Sequence, residues 1–313
     1  MYAAVVTSFD EPPHYREFEA PRPAEGQIVV DVLAVGLHPR TRTGASGKHY
    51  TSTGTLPMIP GVDGVGRRPD GKLIYFVADD DVIGTMAEQA VVDPRRSIEL
   101  PDGADPAKIA AAMNPAMSSW VALRRRVPIQ PGQSVLVLGA TGNAGAMAVR
   151  VAKLLGAGRT IGAGRDRDRL ATIGADEVVA LADGPEALAK AAAEVDIVID
   201  YLWGAPAAEA MMALLTHRAD RSRRLDWIQI GSVAGPTIEL PSVALRSANL
   251  VLQGNGQGAV SARAYLGELP SLVAEIDSGA VAIRTATAPL ADVETVWARP
   301  DEAGVRTVLV MGS

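Results

Sequence analysis

Three glycines follow an apolar run in the middle of the chain and precede a helical pattern. In the stretch SVLVLGATGNAGAMAVRVAKLL, which begins at Ser134, they are Gly139, Gly142 and Gly145. The usual dinucleotide fingerprint is G-x-G-x-x-G, and its first glycine is replaced here by Ala140, with Gly139 available for the tight turn. Gly142 lets a pyrophosphate approach the backbone, and the N–H groups at the helix start face the phosphates. The alternative is a turn that serves packing alone. We predict a dinucleotide site at Gly139, Ala140, Thr141, Gly142, Asn143, Ala144 and Gly145.

The end of the next apolar run indicates which dinucleotide binds. An NAD site usually places Asp or Glu about 20 residues further on, where it accepts a hydrogen bond from the ribose 2′-OH. Here Gly164 and Arg165 occupy that place, and Arg165 lies 20 residues after Gly145. A glycine leaves room for a 2′-phosphate, and a guanidinium pairs with it bidentately. Asp166 and Asp168 lie beyond the run, on the expected start of a helix. The sequence therefore predicts NADPH as the cofactor.

Such a turn needs a parallel sheet around it. Apolar runs alternate with helical segments from Ser134 onwards, and Gly156 and Gly174 stand where helices are expected to end. Fully apolar strands joined by helices indicate a parallel sheet covered on both faces. We therefore predict an α/β, doubly wound (Rossmann) cofactor domain over residues 121–259. Its strands are expected at 134–138, 159–163, 177–181, 195–199, 226–230 and 249–252, and its helices at 143–155, 167–173, 185–193 and 205–216.

The first 120 residues have a different pattern. Short β-like runs alternate there with Pro- and Gly-rich turns, which is typical of a strand-rich, irregular domain. The stretch DPAKIAAAMNPAMSSWVALRRR is then helical in pattern, and we expect Pro115 to break it. The tail over 260–313 holds a helix and short strands. We predict a first domain over 1–120 that this tail completes.

Composition excludes several function classes. The chain has 313 residues, a net charge of −6 and no cysteine. An acidic chain lacks the basic footprint of a nucleic-acid binder, and we expect the arginines at 124–126 and around Arg218 to be solvated. The same is expected of Arg167 and Arg169. The absence of cysteine excludes disulfides and thiolate ligands and fits a reducing cytoplasm. We find no signal-peptide pattern and no long uninterrupted apolar span, so we expect a cytoplasmic protein without a membrane partner.

Several segments together resemble the zinc-independent quinone oxidoreductase branch of the medium-chain dehydrogenase/reductase family. The matching segments are MYAAVV (1–6), PGVDGVG (60–66), GTMAEQAVV (84–92), the run from Ser118 to Gly145, and IQIGSVAGPTIELPSVALRSANLVLQG (228–254). The resemblance covers nearly the whole chain. It implies a GroES-like catalytic domain, a homodimer, and contact of the last segment with the nicotinamide, with Gly231 and Ser232 among the cofactor-binding residues.

The departures from zinc-dependent relatives matter as much as the matches. Those relatives carry a zinc-binding cysteine and histidine in two turns, whereas this chain has His38 and Val62 at the corresponding positions. A catalytic zinc takes three protein ligands, so His38 with Asp63 is one ligand short. We therefore expect no metal.

Without a metal, the hydride acceptors that remain are quinones and conjugated enones or enals. A conjugated carbonyl needs a group that stabilises the developing enolate oxygen. Tyr50 matches a tyrosine that resembling reductases place near the nicotinamide, and its phenol can hydrogen-bond a carbonyl or relay a proton. His38 replaces an asparagine of the family turn and adds a group that titrates near neutrality. We name Tyr50 and His38 as catalytic candidates, and Ser118 and Asn255 as further cofactor-binding residues.

These observations predict an NADPH-dependent reductase of quinones or α,β-unsaturated carbonyls, acting on a small molecule. Two alternatives stay open at this point. One is an enoyl-thioester reductase, which needs a long acyl channel. The other is a non-catalytic NADPH-binding sensor or accessory protein, which binds the cofactor and never turns over.

Overall fold

The computed structural model describes residues 1–78, 82–256, 258–300 and 302–312. In chain order, the strands are β1 (Tyr2–Val5), β2 (His14–Glu17), β3 (Ile28–Gly36), β4 (Asp63–Arg67), β5 (Leu73–Val77), β6 (Gln89–Val92), β7 (Ser97–Glu99), β8 (Ser134–Leu138), β9 (Arg159–Gly164), β10 (Glu177–Ala180), β11 (Ile197–Asp200), β12 (Leu225–Gln229), β13 (Leu250–Gly254), β14 (Arg284–Pro289) and β15 (Val305–Val310). The α-helices are α1 (Pro39–Ala45), α2 (Pro106–Val121), α3 (Asn143–Leu154), α4 (Arg167–Leu170), α5 (Gly184–Ala192), α6 (Gly204–His217), α7 (Ser242–Arg246), α8 (Ala262–Leu266), α9 (Leu269–Asp277) and α10 (Val293–Ala298).

The chain forms two compact units. Met1–Asn114 and Ala262–Ser313 make the first, which we call the strand-rich unit, and Pro115–Ser261 makes the second, the parallel-sheet unit. The second unit is thus inserted into the first.

The parallel-sheet unit contains six parallel strands in the order β10-β9-β8-β11-β12-β13. The strand order reverses between β8 and β11, because the chain leaves β8 towards β9 and later returns to the other side of β8. In doubly wound sheets, ligands bind at the carboxyl ends of the strands next to such a reversal. The predicted α/β fold is confirmed, and the glycine turn after β8 lies at this reversal.

The interior of this unit explains why its strands are apolar along their whole length. Side chains of the sheet and of the helices form one buried cluster, which includes Leu136, Leu138, Ile161, Val198, Met211 and Trp227. Because helices cover both faces of a parallel sheet, neighbouring strand residues are buried on opposite faces and polar alternation is absent.

The strand-rich unit contains a seven-stranded sheet. Its order is β14-β15-β3-β4-β5-β7, and β6 also pairs with β3. Neighbouring strands are antiparallel except for β14 and β15, which are parallel. Since β15 pairs with β3, the carboxyl-terminal segment completes the sheet that the amino-terminal segment begins. A mainly apolar cluster that includes Val35, Leu37, Ile59, Ile74 and Phe76 forms the core.

The expected break at Pro115 is wrong, because α2 runs through this residue from Pro106 to Val121. Pro115 removes one helical hydrogen bond, and a proline in a helix interior costs about 3 kcal/mol. The flanking side chains Met113, Ala116 and Met117 are buried. Burying apolar side chains contributes about 1.5–3 kcal/mol for each large one, which outweighs the cost of the proline.

The expectation that Arg218 is solvated is also wrong. Its side chain is buried, and Nη1 donates to the carbonyl oxygens of Ala193 at 2.5 Å and Val195 at 2.9 Å. Nη2 donates to the carbonyl of Arg224 at 3.2 Å. The guanidinium therefore ties together three loop carbonyls at the amino-terminal side of the sheet, where the sequence shows only a cluster of arginines.

We expect Arg218→Met to lower the free energy of unfolding by about 2–4 kcal/mol, because it leaves buried carbonyls without their donor while keeping the apolar stem. Urea unfolding followed by circular dichroism measures the change. Arg221→Met is the matched control, since Arg221 is exposed and donates to the carbonyl of Thr216. Equal stability of both variants would contradict the structural role of Arg218.

Candidate functional site

The glycine turn joins β8 to α3 with the geometry that a phosphate cradle needs. Gly139 has a φ of 82°, which favours glycine, and Gly142 is the N-cap residue of α3. Since Gly142 has no side chain, it places no capping oxygen over the helix start. A Cβ on Gly145 would lie 2.2 Å from the carbonyl oxygen of Gly139, so only glycine allows α3 to pack this closely. The first turn of α3 therefore leaves its N–H groups uncapped by a side chain, as at helix starts that bind anions.

The remaining residues of the turn are arranged around this helix start. Ala140 is buried, and its N–H donates to the carbonyl of Ala163 on β9 at 2.9 Å. Thr141, Asn143 and Ala144 are half-buried. The turn is thus fixed to the neighbouring strand, while its outer side chains reach the surface.

The end of β9 lies beside the same turn. A Cβ on Gly164 would lie 2.6 Å from Cγ2 of Thr141, so a side chain at this position would displace the turn. Arg165 follows and is exposed. Asp166 is the N-cap residue of α4, and its carboxylate accepts from the N–H of Arg169 at 3.0 Å. The carboxylate of Asp166, the residue after Arg165, is therefore already hydrogen-bonded within the protein as a helix cap.

The two arginines beyond Asp166 are held by protein groups. Arg169 Nε donates to the carbonyl of Thr141 at 3.0 Å, which fixes its side chain over the glycine turn. Arg167 forms an ion pair with Asp183. Arg169 is half-buried, so the expectation that it is solvated is wrong, because α4 turns its side chain back onto the turn.

A second cluster of polar groups lies at the carboxyl ends of β11 and β13. Ser118 Oγ and the Tyr201 hydroxyl are 2.9 Å apart, and Asn255 Nδ2 donates to the carbonyl of Ser118 at 2.9 Å. A Cβ on Gly231 would lie 2.7 Å from the carbonyl of Tyr201. Ser232, the next residue, is exposed. The structure thus brings together predicted residues from three distant segments.

Tyr201 belongs to this cluster and was missed by sequence reasoning. It is the first residue after β11, and burial raises the pKa of its phenol to about 12. The phenol therefore stays protonated across the physiological pH range. Its place at a strand end beside the strand-order reversal is the signal that could have identified it.

The strand-rich unit contains the two catalytic candidates in different environments. His38 is 1% exposed, and its Nε2 lies 2.9 Å from Oδ1 of Asp63. Tyr50 is 74% exposed, and its ring lies against the ring of His49, with 4.3 Å between centroids. The structure therefore buries one candidate and exposes the other.

A small cleft in the strand-rich unit lies next to neighbours of both candidates. Its polar lining consists of Arg40, Thr41 and His49, and its other lining residues include Met58, Ile59 and Pro60. Thr41 Oγ1 lies 3.4 Å from Nδ1 of His38, and His49 touches Tyr50. Each catalytic candidate is thus one side chain away from the cleft.

Within the described ranges, we find no group of three or more histidine, aspartate or glutamate side chains that could hold a metal. His38 and Asp63 contact each other instead. Among the helices that the structure describes, none is both long and apolar enough to cross a bilayer.

Comparison with known proteins places these features in a family. No family model matches the chain. A probable NADPH-dependent quinone reductase of Emericella nidulans is 32% identical, and the match covers 99% of this chain and 100% of that protein. The quinone oxidoreductase of Thermus thermophilus, whose structures include an NADPH complex, has a TM-score of 0.80 at 24% identity over 99% of this chain and 100% of its own.

A mycobacterial quinone oxidoreductase has a TM-score of 0.83 at 19% identity, and the similarity covers 99% of each chain. These two structures share the fold, and the relative from Emericella nidulans extends the similarity to the sequence over its full length. The chain therefore belongs to the quinone oxidoreductases of the medium-chain dehydrogenase/reductase family.

Proposed function

We propose that the chain is an NADPH-dependent oxidoreductase that transfers a hydride to a quinone or an α,β-unsaturated carbonyl. The observation that carries the proposal is the glycine turn, where the open start of α3 lies beside Gly164 and Arg165. The full-length similarity to a probable NADPH-dependent quinone reductase supports it. The two alternatives, a thioester reductase and a non-catalytic binding protein, are less favoured by that relative.

The residues present fit this cofactor. A diphosphate suits the N–H groups at the start of α3, next to Gly142 and Gly145, and the 2′-phosphate suits the exposed guanidinium of Arg165, the residue after Gly164. The cluster of Ser118, Tyr201 and Asn255 offers hydroxyl and amide groups for the nicotinamide, and we include Gly231 and Ser232 in that contact. NADPH, when bound, supplies the hydride.

After hydride transfer, the oxygen of the substrate carries negative charge and needs a proton or a hydrogen-bond donor. We propose His38 and Tyr50 as the proton-handling residues, and the cleft lined by Arg40, Thr41 and His49 as the place of the substrate oxygen. We further propose that this chemistry is independent of zinc, because His38 and Val62 occupy the positions where zinc-dependent relatives have cysteine and histidine.

NADPH oxidation with a panel of quinones and enones tests the function. We expect turnover with at least one acceptor, and tighter binding of NADPH than of NADH in a fluorescence titration. Cofactor binding without turnover on any acceptor would favour the accessory-protein alternative. Turnover with enoyl thioesters alone would favour the thioester reductase.

We expect Tyr50→Phe to lower kcat about tenfold with quinones and enones, because the substrate oxygen loses a hydrogen-bond donor, and to leave the Kd of NADPH unchanged. Steady-state kinetics and fluorescence titration measure the two effects. Tyr15→Phe is a matched control, since Tyr15 lies on β2 and its ring stacks on Tyr2. Parent kinetics for Tyr50→Phe across the panel would remove this residue from the mechanism.

We also propose a cytoplasmic homodimer. The dimer proposal rests on β13, which is the edge strand of its sheet and has apolar, half-buried residues from Leu250 to Leu252. Exposed Val243 and Leu245 on α7 precede this edge in the chain. An apolar strand at a sheet edge suits pairing with a second copy. We expect light scattering to give twice the mass of one chain. We expect Val251→Lys to reduce this mass to that of a single chain.

A further inference from the structure

Three polar residues form a hydrogen-bonded chain inside the core of the strand-rich unit. Oδ1 of Asp63 lies 2.9 Å from Nε2 of His38, and Oδ2 accepts from the Tyr75 hydroxyl at 2.6 Å. The three residues are 1%, 3% and 0% exposed for His38, Asp63 and Tyr75. His38 follows β3 as the N-cap residue of α1, Asp63 begins β4 and Tyr75 lies in the middle of β5, and these three strands are adjacent in the sheet.

Fold stability does not account for these three hydrogen-bonded polar residues. Taking a carboxylate and an imidazole out of water costs free energy that their attraction returns only in part, and apolar residues of the same volume are often as stable. The neighbours Leu37, Ile74 and Phe76 are apolar and fully buried. A polar chain in such a core points to a use in function.

The hydrogen bonds fix the arrangement of protons. Burial and the neighbouring Asp63 carboxylate raise the pKa of Tyr75 well above its usual value, so the phenol is the donor. Asp63 is then an acceptor on both oxygens, and Nε2 of His38 carries the proton that it shares with Oδ1. The other ring nitrogen, Nδ1, is then the one available to Thr41, whose hydroxyl oxygen lies equally far from both nitrogens.

Thr41 connects this ring to the cleft. Its Oγ1 lies 3.4 Å from Nδ1 and also 3.4 Å from Nε2, and its side chain lines the cleft. At this distance the hydrogen bond is not yet formed, and proton transfer requires the hydroxyl to approach Nδ1 by about 0.5 Å. Catalytic hydrogen bonds are often long before the substrate binds.

We propose that Asp63 and Tyr75 are positioning residues that hold His38 as the proton source for the cleft, with Thr41 as the relay. The inference rests on the proposed function. In the step, the protonated imidazole gives its Nδ1 proton to the Thr41 oxygen while the Thr41 proton passes to the anionic oxygen of the reduced substrate. The substrate oxygen supplies the electron pair of the new O–H bond. His38 is left neutral and regains a proton from water.

The charged groups around His38 set the direction of each test. The Asp63 carboxylate contacts the His38 ring, and the Tyr75 hydrogen bond withdraws charge from that carboxylate. Nη1 of buried Arg306 donates to the carbonyl of Leu37 at 2.7 Å, and Arg40 lines the cleft, so two cations lie nearby.

Two conservative substitutions should therefore have opposite effects. Tyr75→Phe concentrates charge on the carboxylate, and we expect the ring N–H proton signal of His38 to move downfield. Asp63→Asn removes the charge, and we expect the same signal to move upfield. NMR of the histidine ring N–H signals measures both, with His38→Asn for assignment. Thr85→Val is the control, because Thr85 donates to the Asp63 carbonyl at 2.9 Å and not to its carboxylate.

The relay is tested separately. We expect Thr41→Val to lower kcat about tenfold with an unchanged Kd of NADPH. We expect Thr41→Ser to keep the kcat of the parent. Ring N–H signals that move in the same direction in Tyr75→Phe and Asp63→Asn, or do not move at all, would overturn the positioning role. If Asp63→Asn does not fold, an unmoved signal in Tyr75→Phe overturns it alone. Parent kcat in Thr41→Val would overturn the relay. Absence of turnover in the parent would refute the proposed function, whereas the NMR signals still decide the positioning role.

Discussion

Gly142→Ala is expected to weaken NADPH binding roughly 100-fold without changing the melting temperature. A Cβ at this position meets no protein atom closer than 3.5 Å, and a φ of −73° suits alanine, so the fold accepts it. The methyl group instead occupies the space through which a diphosphate reaches the start of α3. Loss of two charge-assisted hydrogen bonds of about 1.5 kcal/mol each corresponds to that factor.

Gly145→Ala changes the packing of α3 as well as the cofactor site, so it contrasts with Gly142→Ala. Its Cβ would lie 2.2 Å from the carbonyl oxygen of Gly139, so the helix or the turn must move. We expect this variant to lose about 1–3 kcal/mol of stability as well as NADPH affinity. Fluorescence titration and thermal unfolding of both variants provide the test. If Gly142→Ala binds NADPH as tightly as the parent, the diphosphate does not lie at this helix start.

Arg165→Ala is expected to lower NADPH affinity about 10- to 100-fold and to leave NADH affinity unchanged. Hydrogen bonds to charged groups contribute about 1.5–3 kcal/mol, and only NADPH carries the 2′-phosphate. The preference for NADPH should also weaken as salt concentration rises, because Arg165 is exposed. Titration with both cofactors at two ionic strengths measures this.

Arg167→Ala is the matched control for Arg165, since both follow β9 within three residues, but Arg167 begins α4 and is paired with Asp183. We expect its cofactor preference to equal that of the parent. A loss of NADPH affinity in Arg167→Ala, with none in Arg165→Ala, would place the 2′-phosphate at Arg167 and contradict the prediction.

The sequence predicted the cofactor half of the molecule well because its signals are local. The strand, the glycines and the helix start are contiguous from Ser134 to Leu154, and the structure gives a steric reason for Gly139 and Gly145, whereas Gly142 leaves the helix start open. Arg165 is also predictable, because the distance from a glycine turn to the next strand end is set by one helix and one strand.

The polar networks could not be predicted in the same way. Tyr75 lies in an apolar run, and nothing in the sequence shows that it meets Asp63, because that contact depends on the pairing register of β4 and β5. Arg218 was placed in solvent for a similar reason, since the carbonyls that it binds belong to a distant loop. Pro115 was misjudged because local helix propensity is overridden by burial of its neighbours.

The insertion of one unit into the other has a consequence for biosynthesis. All strands of the parallel sheet lie between residues 134 and 254, so this sheet can form while the ribosome is still translating the tail. The strand β15, at residues 305–310, is translated only after the whole parallel sheet, and until then residues 34–36 of β3 lack this partner and are open to pairing with other chains. Premature termination before residue 305 should therefore yield a folded cofactor domain attached to an aggregation-prone amino-terminal half.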